Sequence, residues 1–131
     1  VKTDGPRFER DNAAFSLFTT PTDYARFLIE IMTADAQYAH SLSRKSVEAM
    51  LEPTVATGKT EVKRSLGWSV EATESGPIIS HSGSNGTGFR CYSRFNPATG
   101  SGIVIMSNSV AGAVVWNGIV DAIAEVARDA G

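Results

Sequence analysis

Apolar positions in the first third of the chain recur with the period of a helix. Thr20 is a cap residue, Pro21 suits the first helical position, and Asp23 stands three residues after the cap, as in a capping box. Tyr24, Phe27, Leu28 and Ile31 follow at i, i+3, i+4 and i+7, which predicts a helix with one apolar face. A shorter helix is expected from Ser43 to just before Pro53, with Val47, Met50 and Leu51 turned inward. Residues 54–65 are polar, contain Gly58, Lys59, Lys63 and Arg64, and read as a solvated loop. From Leu66 the period drops to two, because Leu66, Trp68 and Val70 alternate with Gly67, Ser69 and Glu71. Glu74-Ser75-Gly76-Pro77 is a turn signal, after which Ile78 and Ile79 open a second strand. Residues 89–95 alternate again, and the turn Asn96–Gly100 leads to the continuous apolar run Ile103–Met106, the pattern of a strand covered on both faces. Val115, Ile119, Ala122, Ile123 and Val126 return to helical spacing and predict a last helix over about 113–129. Short links between strands favour antiparallel pairing. The expected architecture is α+β, an antiparallel sheet of four strands flanked by helices, with residues 1–12 as an irregular lead-in.

Composition narrows the classes without naming one. The 131 residues make a single domain, 42% hydrophobic and 20% charged, with a net charge of −2. A chain that binds nucleic acid through phosphate contacts carries a basic excess, which is missing here. The one cysteine, Cys91, rules out an intrachain disulfide and a thiolate metal site. The two histidines, His40 and His81, have dissimilar surroundings and do not make a zinc pattern, so no metal and no organic cofactor is expected. No apolar run approaches the ~20 residues that span a bilayer, and Val-Lys-Thr-Asp-Gly-Pro does not read as a signal peptide.

One segment carries candidate chemistry. Ser80-His81-Ser82-Gly83-Ser84-Asn85-Gly86-Thr87-Gly88 follows directly on Ile78-Ile79. A strand that ends in small polar residues leaves its backbone open to close approach by a ligand, and His81 adds a donor or acceptor. The same residues also fit a glycine-rich turn with a surface histidine. Trp68, Trp116, Tyr24 and Phe27 read as packing residues, Tyr92 as facing a helix, Gly86 and Gly88 as turn residues, and Asn108 as closing the last strand.

Ile79-Ser80-His81-Ser82-Gly83, then Gly88-Phe89-Arg90, then Ile105-Met106-Ser107-Asn108 resembles the C-terminal part of the serine β-lactamase and penicillin-binding-protein superfamily. Within it, the pattern is similar to the class C-like branch of esterases, D-aminopeptidases and D,D-carboxypeptidases, whose site strand carries K-T-G or H-x-G. Residues 13–28, the helix from Ser43 to Pro53 and Leu66-Gly67-Trp68 match that family in the same order. The resemblance implies a partial β-lactamase/transpeptidase-like fold and an acyl-enzyme reaction on an ester, amide or lactam carbonyl. It assigns His81 and the backbone N–H of Ser84 to the catalytic site, with Ser84 as one oxyanion donor, and Ser82 and Gly83 to substrate binding. Gly83 is then expected because a side chain there would obstruct the acyl group. His81 stands where many relatives have lysine and can hydrogen-bond similarly without a permanent charge, which tilts the expectation from β-lactams toward esters or peptides.

Two departures set the limits. The family's nucleophile motif S-x-x-K and its Y-x-N or S-x-N motif are both missing from the sequence; the nearest match, Thr60-Glu61-Val62-Lys63, begins with threonine. Residues 1–131 are therefore expected to be a C-terminal piece of a larger hydrolase, inactive alone, whose partners are the N-terminal part of the same polypeptide and a small-molecule or peptide substrate. The alternative is a non-enzymatic binding or assembly domain on the same scaffold. In the family the strand matching 102–108 pairs with N-terminal strands and the H-x-G strand lies at the opposite edge, so here 102–108 is expected to pair with another copy or to lie under the lead-in. Many relatives are exported, so the resemblance implies an extracytoplasmic or periplasmic compartment.

Overall fold

In the computed structural model, residues 12–14, 16–33, 42–59, 61–84 and 88–129 are described. The lead-in expected over 1–12 lies almost wholly outside them, as does His40. Three helices and six strands follow the chain in the order α1 (Pro21–Met32), α2 (Arg44–Leu51), β1 (Val55–Lys59), β2 (Val62–Arg64), β3 (Ser69–Glu71), β4 (Ile78–Ser84), β5 (Arg90–Asn96), β6 (Ser101–Ser107) and α3 (Gly112–Asp129). The strands form one antiparallel meander in sequence order. The fold is α+β, consistent with a partial β-lactamase-like architecture.

Local chemistry accounts for the helix starts. Thr20 Oγ1 accepts the Asp23 N–H at 3.1 Å and donates to the Asp23 carboxylate at 2.8 Å. Ser43 Oγ accepts the Ser46 N–H at 3.1 Å, so α1 and α2 each have an orphan donor satisfied at the first turn. Leu28 and Ile31 of α1 and Val47 of α2 are buried against one face of the sheet. That face presents a row of Val70, Ile79 and Phe95, register partners across β3, β4 and β5, and Phe95 and Ile79 are the most deeply buried side chains. Trp68 meets Phe95 edge-on at 5.3 Å between ring centroids. Asn96, also buried, donates to the Ser75 carbonyl at 3.1 Å and accepts the Ala98 N–H at 2.9 Å, tying two turns together. α3 covers the opposite face, where Trp116 stacks on Tyr92 at 5.7 Å.

Three expectations need correction. Residues 54–65 form the β1–β2 hairpin rather than a loop, so the sheet has six strands and not four. The expected last helix is present as α3, whose inward face comprises Gly112, Ala113, Trp116 and Val120 and whose Val115, Ile119, Ile123 and Val126 are exposed. Ile103 to Met106 are half-buried rather than covered on both faces. The H-x-G strand is not at a sheet edge, because the meander adds β3, β2 and β1 outside β4.

Candidate functional site

β4 outruns its neighbour. β3 pairs with it only through Ser69↔Ser80, Val70↔Ile79 and Glu71↔Ile78, whereas β5 pairs along its length to Ser84↔Arg90. Residues 81–84 therefore have a strand on one side and, among the described residues, none on the other. Antiparallel alternation says which backbone groups face the open side. The Ala72 N–H donates to Glu61 in the β2 direction, so positions 71 and 69 face β4 and their partners 78 and 80 face back. Continued through the regular β4–β5 register, that period turns the N–H and C=O of Ser82 and Ser84 to the open side and those of His81 and Gly83 to β5. The Ser93 hydroxyl, opposite His81, donates to the His81 carbonyl at 3.4 Å, in keeping with this parity.

Side chains alternate in the other direction. His81 and Gly83 lie on the face that holds Ile79 and the α1–α2 core, and Ser82 and Ser84 share the opposite face with Arg90 and Tyr92. His81, Ser82 and Ser84 are exposed and lie under no helix. Two surface hollows lie on α2 (Lys45, Glu48, Glu52) and between α1 and α2 (Phe27, Ile31, Val47), away from the ribbon. Residues 81–84 make a wall that, among the described residues, has no opposing strand.

The His81 ring is held from two directions. Its Nδ1 is 2.8 Å from the Gly67 carbonyl oxygen. A carbonyl only accepts, so Nδ1 carries the proton and Nε2 is the nitrogen left to act. The ring also lies edge-on to Trp68 at 6.0 Å, which in turn packs on Phe95. Gly67 sits at φ +84°, in the left-handed region where a side chain is strained, and the Ser65 N–H donates to the Trp68 carbonyl across the same turn. Leu66-Gly67-Trp68 is thus the anchor of the imidazole. A glycine before a tryptophan that opens a strand was the available signal, but nothing in the spacing tied it to a histidine fourteen positions on.

Gly83 has a reason inside the sheet. A Cβ there would lie 2.6 Å from Sγ of Cys91, its register partner. A side chain at 83 would have to displace the Cys91 thiol, whether or not an acyl group approaches. Beside Cys91, Tyr24 of α1 reaches Ser93; burial pushes its phenol pKa above the usual value, with the Ser93 hydroxyl opposing and Cys91 adding to the rise. Tyr92 is raised as well, first by burial, with Arg94 lowering it and Glu71 raising it. Neither phenol is prepared to act as a base near neutral pH. Among the described residues no cluster of three His, Cys, Asp or Glu could hold a metal ion, and no helix is long and apolar enough to cross a membrane.

The antiparallel meander with helices on both faces fits a partial β-lactamase-like fold. The Beta-lactamase family model matches residues 2–128, and the chain belongs to that family. No curated protein and no solved structure matches it.

Proposed function

We propose that this chain is the H-x-G wall of a class C-like serine hydrolase that forms an acyl-enzyme from an ester, amide or lactam carbonyl. The observation that carries the reading is the overhang of β4, which turns the Ser84 N–H to the open side beside a histidine anchored on Gly67. A backbone N–H fixed in a sheet costs no reorganisation when charge develops on the carbonyl oxygen, as an oxyanion donor requires. In this reading, His81 offers Nε2 to the substrate or to the hydrogen-bond network around the nucleophile, and Gly83 and Ser82 line the approach. The attacking serine, its lysine and the second oxyanion N–H come from polypeptide outside these residues, since the sequence has no S-x-x-K. The domain is then one part of a larger hydrolase and is inactive alone.

The same missing motif favours a second reading, a binding or assembly domain that keeps the scaffold. Turnover of a chromogenic ester and a chromogenic cephalosporin by the full native polypeptide separates the two. The hydrolase reading expects turnover, faster on the ester, reduced at least tenfold by His81→Ala with the fold intact. No turnover supports the binding domain, whereas turnover untouched by that substitution overturns the role given to His81.

A further inference from the structure

Among the described residues the buried polar side chains are Asn96 and Ser93. Asn96 joins two turns. Ser93 has no such duty. It is 3% exposed and stands in mid-strand on the face where Phe95, Ile79 and Leu28 make an apolar core. A hydroxyl buried there needs partners of its own. Both of its partners lead to the site. Across the β4–β5 ladder it faces His81, whose carbonyl oxygen is 3.4 Å from its Oγ. From α1, the Tyr24 phenol comes within hydrogen-bond reach of the same hydroxyl.

The direction of each bond follows from where the protons are. A serine hydroxyl has a single proton to give and lone pairs to receive with. The His81 carbonyl only accepts, so the Ser93 proton goes there and the Ser93 oxygen accepts from Tyr24. Burial holds the phenol protonated through neutral pH, so it has that proton to donate. A phenolate would draw the Ser93 proton the other way, which is the sense in which Ser93 opposes the rise of the Tyr24 pKa.

This chain ends where the sheet stops supporting β4 on its second side. Ser69↔Ser80 is the last pair with β3, and His81 is the next residue. The His81 carbonyl and the Ser82 N–H belong to one planar trans peptide and point in opposite directions. The carbonyl faces β5 and the N–H faces the open side. A bond that holds the carbonyl therefore holds the first donor of the ribbon. One pair further along, the Cys91 thiol closes the space beneath Gly83, just ahead of the Ser84 N–H.

We propose that Ser93, backed by Tyr24, is a positioning residue for the H-x-G ribbon: the relay from Tyr24 Oη through Ser93 Oγ to the His81 carbonyl fixes the His81–Ser82 peptide and the aim of the N–H groups that follow. Helix α1 then sets the ribbon from beneath, as the Gly67 carbonyl sets the His81 ring from the side. Ser93 and Tyr24 lie under the ribbon and act only through it. The consequence for catalysis rests on the hydrolase reading, whereas the hold on the peptide does not.

The test uses the full native polypeptide. Ser93→Ala and Tyr24→Phe each remove one oxygen atom, and melting temperatures verify that both variants fold. In the NMR spectrum, Ser93→Ala should shift the His81 carbonyl 13C resonance upfield, and Tyr24→Phe should move it the same way by less. Turnover of a chromogenic ester by Ser93→Ala should fall about five- to tenfold in kcat, the worth of one hydrogen bond, with KM within about twofold of the parent. An unmoved carbonyl resonance in Ser93→Ala overturns the proposal, and a resonance indifferent to Tyr24→Phe removes Tyr24 from it. A shifted resonance with unchanged kcat overturns the positioning role. A parent that turns over no ester fails the hydrolase reading, and the carbonyl resonance alone then upholds or overturns the hold of Ser93 on the peptide.

Discussion

Replacing Gly83 by alanine tests the register on which the site depends. The added Cβ would fall 2.6 Å from Cys91 Sγ, about 1 Å inside ordinary van der Waals contact. The relief available is a turn of the Cys91 side chain about χ1 or a shift of β4 against β5. Overpacking of this kind costs about 1–3 kcal/mol. In a domain of this size that lowers Tm by roughly 4–12 °C. Cys91→Ala alone removes one small half-buried group and costs about 1 kcal/mol. Because that substitution also removes the obstructing atom, the double variant should be about 1–2 kcal/mol more stable than the sum of the two single effects. Urea unfolding followed by tryptophan fluorescence measures all three. Strictly additive costs would show that Gly83 and Cys91 are not face to face.

Gly67→Ala should cost about 1–2 kcal/mol for a side chain in the left-handed region and, in the NMR spectrum, release the His81 Nδ1 proton to faster exchange. Phe95→Ala, at the most buried position, should cost about 3–5 kcal/mol and shift the Trp68 emission to the red as its packing partner is lost. Tyr24 has its phenol pKa raised by burial, so the unfolded chain gives up its proton first as pH climbs past the ordinary phenol value near 10. Stability is then complete below that pH and declines above it. Tyr24→Phe should flatten the decline in melting temperature above pH 10, and an unchanged slope would contradict the assignment.

What was legible in the sequence is what short-range chemistry dictates. Thr20, Pro21 and Asp23 located the start of α1 because a cap is satisfied within one turn, and Ser43 did the same for α2. The strands that border the core were visible because Val70, Ile79 and Phe95 must face it. The β1–β2 hairpin was not legible, since its residues are exposed on nearly all positions and show no apolar period. The last helix was legible from its apolar period. Which face meets the sheet was not, since periodicity reports that a face is apolar but not which neighbour covers it, and the sheet is met by Trp116 and Val120. At the site, the H-x-G ribbon was found from its small polar residues, whereas its Gly67 anchor and the Cys91 reason for Gly83 depend on registers that only the folded sheet sets.

The account turns on one hydrogen atom, the amide proton of Ser84. Ser84→Pro removes it, and because that N–H faces the open side of β4, the ladder with β5 should survive. Turnover of a chromogenic ester by the full native polypeptide is the measurement, with Ser84→Ala as the companion that keeps the amide. A loss of about 10²–10³ in kcat for proline, little change for alanine and a preserved melting temperature are the predicted results. Equal rates for proline and parent, or a parent that turns over no ester at all, would contradict the claim that this strand holds an oxyanion.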